Sequence, residues 1–488
     1  MNYSRLFDMR VVSRAVCAFA CAVLISTSCV CAQEYKEASV DEQQASQKSA
    51  VLQSGNADQL KEFLRKYYLA RWTVRANAQY LVKFREELEK DAVSISGAAQ
   101  QTFLKEVVDA LKGYAGSNSC YPACRYNAVL AMGTVNEVAG DRNGVGAVPY
   151  AGAITPLATF VSTSKETPDY VRLGALIGLV RHAEIGVKEE KMRNNLKSLF
   201  VKVLDPQYAK ERGLRDDVYE WFQEKALQGL ASFKSAEGAK GGTGTLDLFK
   251  RVIDDPSQKY ELRCLAARAI GDMNLESVKN YDYAELAKSL TTLARDFCVD
   301  ESAYIDEELV RDAVKSSANS MGGGLGGGMG GGGMAGGGMA GGGMAGGMGG
   351  GMDSMSGGLG GGMGGTIQNQ KSLEAIVARI QYGFDSIRRA VSGVKNGGTG
   401  IQKLLLESDA AQKEAKEMLT KLLEEFDEMN TFISEGPKTG GGLGAGLGDY
   451  SGGMMNANSS IRVDANSMKD HLLEKKIKFN ELLGIESY

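Results

Sequence analysis

The sequence predicts an all-α protein: an α-solenoid of stacked helical pairs, then a Gly/Met-rich disordered tether and a small C-terminal helical bundle. Three observations predict it. A helix with small residues on its apolar side recurs four times at the spacing of helical pairs, two glycine tracts interrupt the second half of the chain, and apolar residues beside those tracts recur at steps of three and four. The expected order is a signal peptide (1–32), a disordered N-terminal segment (33–55), the solenoid (56–318), the Gly/Met-rich linker (319–366), a helical hairpin (367–434), a Gly-rich linker (435–460) and a C-terminal helix (461–488).

The first segment has the three parts of an export signal. Arg5, Arg10 and Arg14 make a basic start, "AVCAFACAVLIS" (15–26) is an apolar core too short to span a bilayer, and Val30 and Ala32 suit cleavage between Ala32 and Gln33. A lipid-attachment site at Cys29 or Cys31 lacks the usual aliphatic residue three positions earlier. The expected location is therefore exported: periplasmic, cell-envelope associated or extracellular. No later stretch approaches the ~20 apolar residues of a membrane helix, so no integral span is expected once the signal is removed. The signal carries three arginines and one aspartate, so removing it turns 56 basic and 60 acidic residues into 53 and 59. A mildly acidic chain without a large basic block is not a general nucleic-acid binder.

The repeat is clearest when Arg125 is set against Arg172. Ala128 then matches Ala175, Ala131 matches Gly178 and Met132 matches Leu179. "EKALQGLASF" (224–233) gives a third copy and "RCLAARAIGDM" (263–273) a fourth, with the matched alanines 47, 51 and 40 residues apart. Small residues on a buried helix face let neighbouring backbones approach, and the Leu, Ile and Met beside them fill the remaining space. A first helix is readable before each copy, at 100–114, 154–162, 193–204 and 245–253. Upstream, 56–91 reads as one or two helices whose aromatics (Phe63, Tyr67, Tyr68, Trp72, Tyr80 and Phe84) fit a terminal cap and core better than a ligand surface. "YDYAELAKSLTTLARDF" (281–297) reads as the closing helix.

"PDYVRLGALIGLV" (168–180), with Pro168, Asp169, Val171 and Arg172, and "ELRCLAARAIGDM" (261–273) resemble the second helix of the HEAT repeat family. The resemblance covers roughly residues 98–300. It implies an inter-repeat structural role for Arg125, Asp169, Arg172 and Arg263, with Asp and Arg bonding between adjacent repeats. The third copy departs from the pattern, with Gln223 at the arginine position.

Four cysteines follow the signal, Cys120, Cys124, Cys264 and Cys298. An even number in an exported chain suits disulfides, and the favoured pairing is Cys120 with Cys124 and Cys264 with Cys298. Free buried thiols are the alternative; a zinc site is disfavoured because C-x-x-C spacing is absent.

Residues 321–365 are mostly glycine, which cannot bury enough surface to offset chain entropy. Their nine methionines could ligate Cu(I), but no His or Cys supports a site, and low-complexity drift accounts for them. Beyond the tract, Leu373, Ile376, Val377, Ile380, Phe384, Ile387, Val391 and Val394 form one apolar stripe. A second helix is expected over Leu404 to Ile433 and a last one over about 461–483. These helices suit a small bundle or self-association.

No G-x-S-x-G, H-E-x-x-H or G-x-x-x-x-G-K-[ST] occurs, and the two histidines, His182 and His471, lie far apart in sequence. His182 reads as padding at a helix end rather than a ligand. Carboxylate pairs such as Glu189 with Glu190 and Glu424 with Glu425 read as solvated faces. The expectation is a non-enzymatic protein without cofactor or bound metal, whose partner is a protein or peptide. The alternatives are a structural envelope component that self-associates through its C-terminal helices and, more remotely, an enzyme accessory or lyase-like HEAT protein.

Overall fold

A computed structural model describes residues 35–54, 56–140, 146–163, 167–322, 364–394, 398–435 and 464–486, with side chains excepted over 312–322 and 364–372. The signal with Ala32 and Gln33, residues 323–363 of the first linker and 436–460 of the second lie outside the described residues. The chain is all-α apart from one short antiparallel pair, β1 (Asn136–Val138) and β2 (Val148–Pro149), the strands among the described residues. It divides into two compact units, Met1–Phe233 and Lys234–Tyr488.

The first unit carries α1 (Lys48–Ser54), α2 (Ala57–Phe63), α3 (Leu81–Ser94), α4 (Gly97–Gly116), α5 (Pro122–Thr134), α6 (Ile154–Ser162), α7 (Asp169–Ile185), α8 (Glu190–Leu204), α9 (Pro206–Arg212) and α10 (Asp216–Ala231). Local chemistry sets the ends. Pro122 stands in the first turn of α5, where its missing N–H costs nothing, and α7 starts directly after Pro168 and stops at Gly186, whose φ is +114°. Helix α4 packs on α5, α6 on α7 and α8 on α10, while α5 also packs on α7, and α7 on α10. Phe103, Leu104, Val107, Val108 and Leu111 of α4 are all buried, as their three-and-four spacing requires. The 51-residue interval before the third copy contains an added helix, α9, which Pro206 and the Asp205 side-chain cap initiate.

Two segments differ from expectation. Residues 35–54, expected to be disordered, are ordered: Lys36 N–H donates to Ser119 O at 2.8 Å, Ala38 N–H to Thr73 Oγ1 at 2.8 Å and Asp41 N–H to Lys66 O at 2.9 Å. The stretch 56–91 is not one or two regular helices. Its middle is wound as short irregular turns, because Thr73 Oγ1 bonds back to Ala70 O and Val74 is extended. That winding buries Phe63, Tyr68 and Trp72 together and leaves Tyr80 exposed.

The second unit contains α11 (Gly244–Asp254), α12 (Tyr260–Asp272), α13 (Tyr283–Gly322), α14 (Gly364–Ser392), α15 (Ala410–Glu435) and α16 (Ala465–Leu482). Helix α13 runs well past the expected end at 297, since Cys298, Glu301, Ser302 and Ile305 are also buried. It receives α14, α15 and α16, and α14 lies along α12 as well. The helices expected to form a module of their own therefore share a core with α12 and α13. Their phenylalanines form a chain: Phe297 to Phe384 at 5.3 Å, Phe384 to Phe426 at 4.7 Å and Phe426 to Phe479 at 6.0 Å between ring centres. Helix α15 begins later than expected because Asp409 caps it, accepting the Gln412 N–H at 3.0 Å while Gln412 Oε1 accepts the Leu406 N–H at 2.9 Å. No helix among the described residues is long and apolar enough to cross a membrane.

Candidate functional site

The small residues of the repeat lie at helix crossings. A Cβ built on Gly133 of α5 would lie 2.5 Å from Gly178 Cα of α7, and one on Gly178 would meet Gly133 Cα at 2.9 Å. Gly174 faces Val129, and Gly229 of α10 faces the Phe200 ring of α8. In the second unit, Gly271 of α12 abuts the backbone of α14 at Arg389. Gly271 thus lets α14 lie directly against the α12 backbone.

The registered arginines do a common job in two places. Arg125 Nε donates to Ala115 O at 3.0 Å, and Arg263 Nε to Ile253 O at 2.7 Å, each ten residues back on the carbonyl end of its own first helix. Both carbonyls belong to the last turn of a helix and lack intrahelical donors, so a buried guanidinium satisfies them. Arg125 also holds Asn118 Oδ1 at 2.9 Å, and Arg263 reaches Asp296 of α13 at 2.9 Å. Arg172 donates at 2.9 Å to Asp169 of its own helix, three residues away. Arg263 with Asp296 joins α12 to α13.

In contrast to the expected pairing, all four cysteines stand as free buried thiols in this structure. Cys264 and Cys298 are enclosed in the core of the second unit, where they pack as small apolar side chains and burial pushes both thiols up. Cys120 and Cys124 are different. Their thiols are hydrogen-bonded to each other, so the favoured pair is adjacent without being bonded. Cys124 stands in the first turn of α5 with no exposure, whereas Cys120 precedes the helix and borders an open cavity of about 1000 Å³. The hydrogen bond from Cys124, another from Ser117 and the nearby Arg125 charge hold Cys120 below the ordinary thiol range, while the same pairing and burial push Cys124 up.

That cavity is a site the sequence did not single out. Lys36, Lys61 and Arg65 line it together with Asp58, Glu62 and Asp109, so both charge signs face a partly apolar floor that includes Leu64 and Leu69. It depends on the segment beginning at residue 35, whose only sequence signal is Asp41 ahead of "EQQASQ", an N-cap that accepts the Gln43 N–H. His182 is buried with no hydrogen bond to Nε2, and burial lowers it to about 4. His471 stacks on Phe432 at 4.1 Å. No cluster of three or more His, Cys, Asp or Glu residues positioned to hold a metal occurs among the described residues. Comparison with protein-family models, curated proteins and solved structures gives no match.

Proposed function

We propose that the chain is an exported, non-catalytic protein-binding or scaffolding protein whose HEAT-like solenoid presents paired helices to a protein or peptide. The observation that carries this reading is the glycine crossing of α5 and α7 at Gly133 and Gly178, in a unit where α4/α5, α6/α7 and α8/α10 pack as successive pairs. Such stacking builds long surfaces from short repeats. Trp221, half exposed on α10, offers the kind of aromatic anchor that dominates protein interfaces.

The test is cross-linking of the full chain in its native envelope, followed by mass spectrometry. A protein cross-linked to first-unit residues, and lost in Trp221→Ala, supports the reading. A second reading, a structural envelope component that self-associates through its C-terminal helices, draws on exposed Ile477 of α16 and Tyr382 of α14. Cross-links found only between copies of the chain, through residues beyond 365, would replace the first reading with the second.

A further inference from the structure

We propose that Cys120 and Cys124 form a thiol–disulfide exchange site opening on the first-unit cavity, with Cys120 attacking, Cys124 resolving and a small peptide disulfide as substrate. This goes beyond the scaffolding reading and does not depend on it.

Three features of the geometry carry it. The two thiols lie within hydrogen-bonding reach of each other, four residues apart across the start of α5. They are unequal in access, since Cys120 borders the cavity while Cys124 is sealed beneath it. The loop that brings them together is pinned on both sides: Arg125 holds Ala115 and Asn118, and the Tyr121 hydroxyl, one residue from Cys120, donates to Trp72 O at 3.1 Å. One thiol at the cavity wall and one sheltered beneath it, with a cationic guanidinium beside them, is an arrangement that suits exchange. The substrate class follows from the walls. Lys61, Glu62 and Asp109 already pair with Glu106, Lys66 and Lys105, which leaves Lys36 and Arg65 to suit carboxylates and Asp58 to suit amines, and a peptide disulfide carries both. The hydrogen bonds and the Arg125 charge that favour the Cys120 thiolate act in the same direction.

The chemistry balances. The Cys120 thiolate attacks one sulfur of the substrate, forming a mixed disulfide and releasing one thiolate. Cys124, having given up its proton, attacks the Cys120 sulfur and releases the second. The protein dithiol loses two electrons and two protons, and the substrate disulfide gains both as two thiols.

The experiment uses the reduced full chain and oxidised glutathione as probe, with acid quenching and peptide mass mapping. The expected result is a 120–124 disulfide in the wild type that reduced glutathione reopens, glutathione retained on Cys120 in Cys124→Ser, and none on Cys124 in Cys120→Ser. Cys264 and Cys298 serve as internal controls. Should either variant misfold, alkylation of the wild type by iodoacetamide at pH 7 decides: Cys120 should react about tenfold or more faster than Cys264 and Cys298. Equal alkylation rates, a Cys124→Ser protein without glutathione on Cys120, or a 120–124 bridge that reduced glutathione cannot reopen would each overturn the proposal.

Discussion

Gly133 and Gly178 meet backbone to backbone, with no side chain between α5 and α7 at that crossing. Replacing either by alanine raises intrinsic helix stability by about 0.5–1 kcal/mol, because glycine loses more chain entropy on folding. The added methyl, however, would fall within 3 Å of a backbone carbon, which cannot swing aside as a side-chain tip could. Overpacking of this kind costs about 1–3 kcal/mol, so the clash wins. Gly133→Ala and Gly178→Ala should lower the denaturation midpoint, whereas Gly113→Ala, on the same unit with nothing within 4 Å of its added Cβ, should raise it. A stabilised Gly133→Ala protein would mean the helices are free to separate.

Arg263 should be the most costly of the registered arginines to remove, because it satisfies a helix-end carbonyl and a carboxylate together. Arg263→Met leaves Ile253 O without that donor and Asp296 with Arg295 alone, at a cost of about 3 kcal/mol. Asp296→Asn keeps the carbonyl bond and should cost about 1–2 kcal/mol. Equal losses in urea titrations would place the whole effect in the ion pair and discount the carbonyl.

Much of this architecture was legible from Arg125, Arg172 and the alanines in register with them, because apolar periodicity and small residues both answer to local packing. The helices read at 154–162, 245–253 and about 461–483 are found at Ile154–Ser162, Gly244–Asp254 and Ala465–Leu482. What was not legible depends on tertiary partners. Residues 35–54 have little apolar content and are ordered through backbone bonds to Ser119, Thr73 and Lys66, which no local pattern encodes. The extension of α13 was hidden because Glu301, a charged residue on the buried face, has its partner Arg379 on α14, 78 residues later. Of the site, the cysteine pair was readable as a pair; the cavity beside Cys120 was not, since its walls come from three separate segments.

His182 should make the first unit acid-sensitive in a defined window. Burial first, and then the Arg181 charge, lower its folded pKa to about 4, while an unfolded histidine titrates near 6.5. Above pH 6.5 both states are neutral and the residue contributes no pH dependence. Between 6.5 and 4 the unfolded chain takes up the proton and the folded one does not, so stability falls as pH falls, by about 3 kcal/mol once pH passes below the folded value. His182→Leu should remove that slope and be nearly neutral at pH 7.5, because Nε2 has no hydrogen bond to lose. An unchanged slope in the variant would assign the acid sensitivity to other groups.

Lys475 is fully buried on α16, yet its ammonium is held by Glu425 at 2.6 Å and Glu428 at 2.5 Å on α15. Such a pair is asymmetric to mutation. Lys475→Met removes the charge that had to be desolvated and leaves two carboxylates that are partly exposed and still reached by Lys478, so the change should be within about 1 kcal/mol of neutral. Replacing both glutamates by glutamine strands an ammonium in the core and should cost about 3–5 kcal/mol. The pH profile gives a second handle. Hydrogen bonds from Lys475 and then Lys478 hold the Glu428 carboxyl at about 2, so its stabilisation is complete above the usual carboxylate pKa and is lost as pH falls through the folded value. That window lies below the one set by His182, so a two-step acid profile is expected, with the lower step lost in Glu428→Gln and the upper one lost in His182→Leu. If Lys475→Met proved the more damaging change, the ion pair would be a net source of stability for α16 rather than a buried charge that its partners must neutralise.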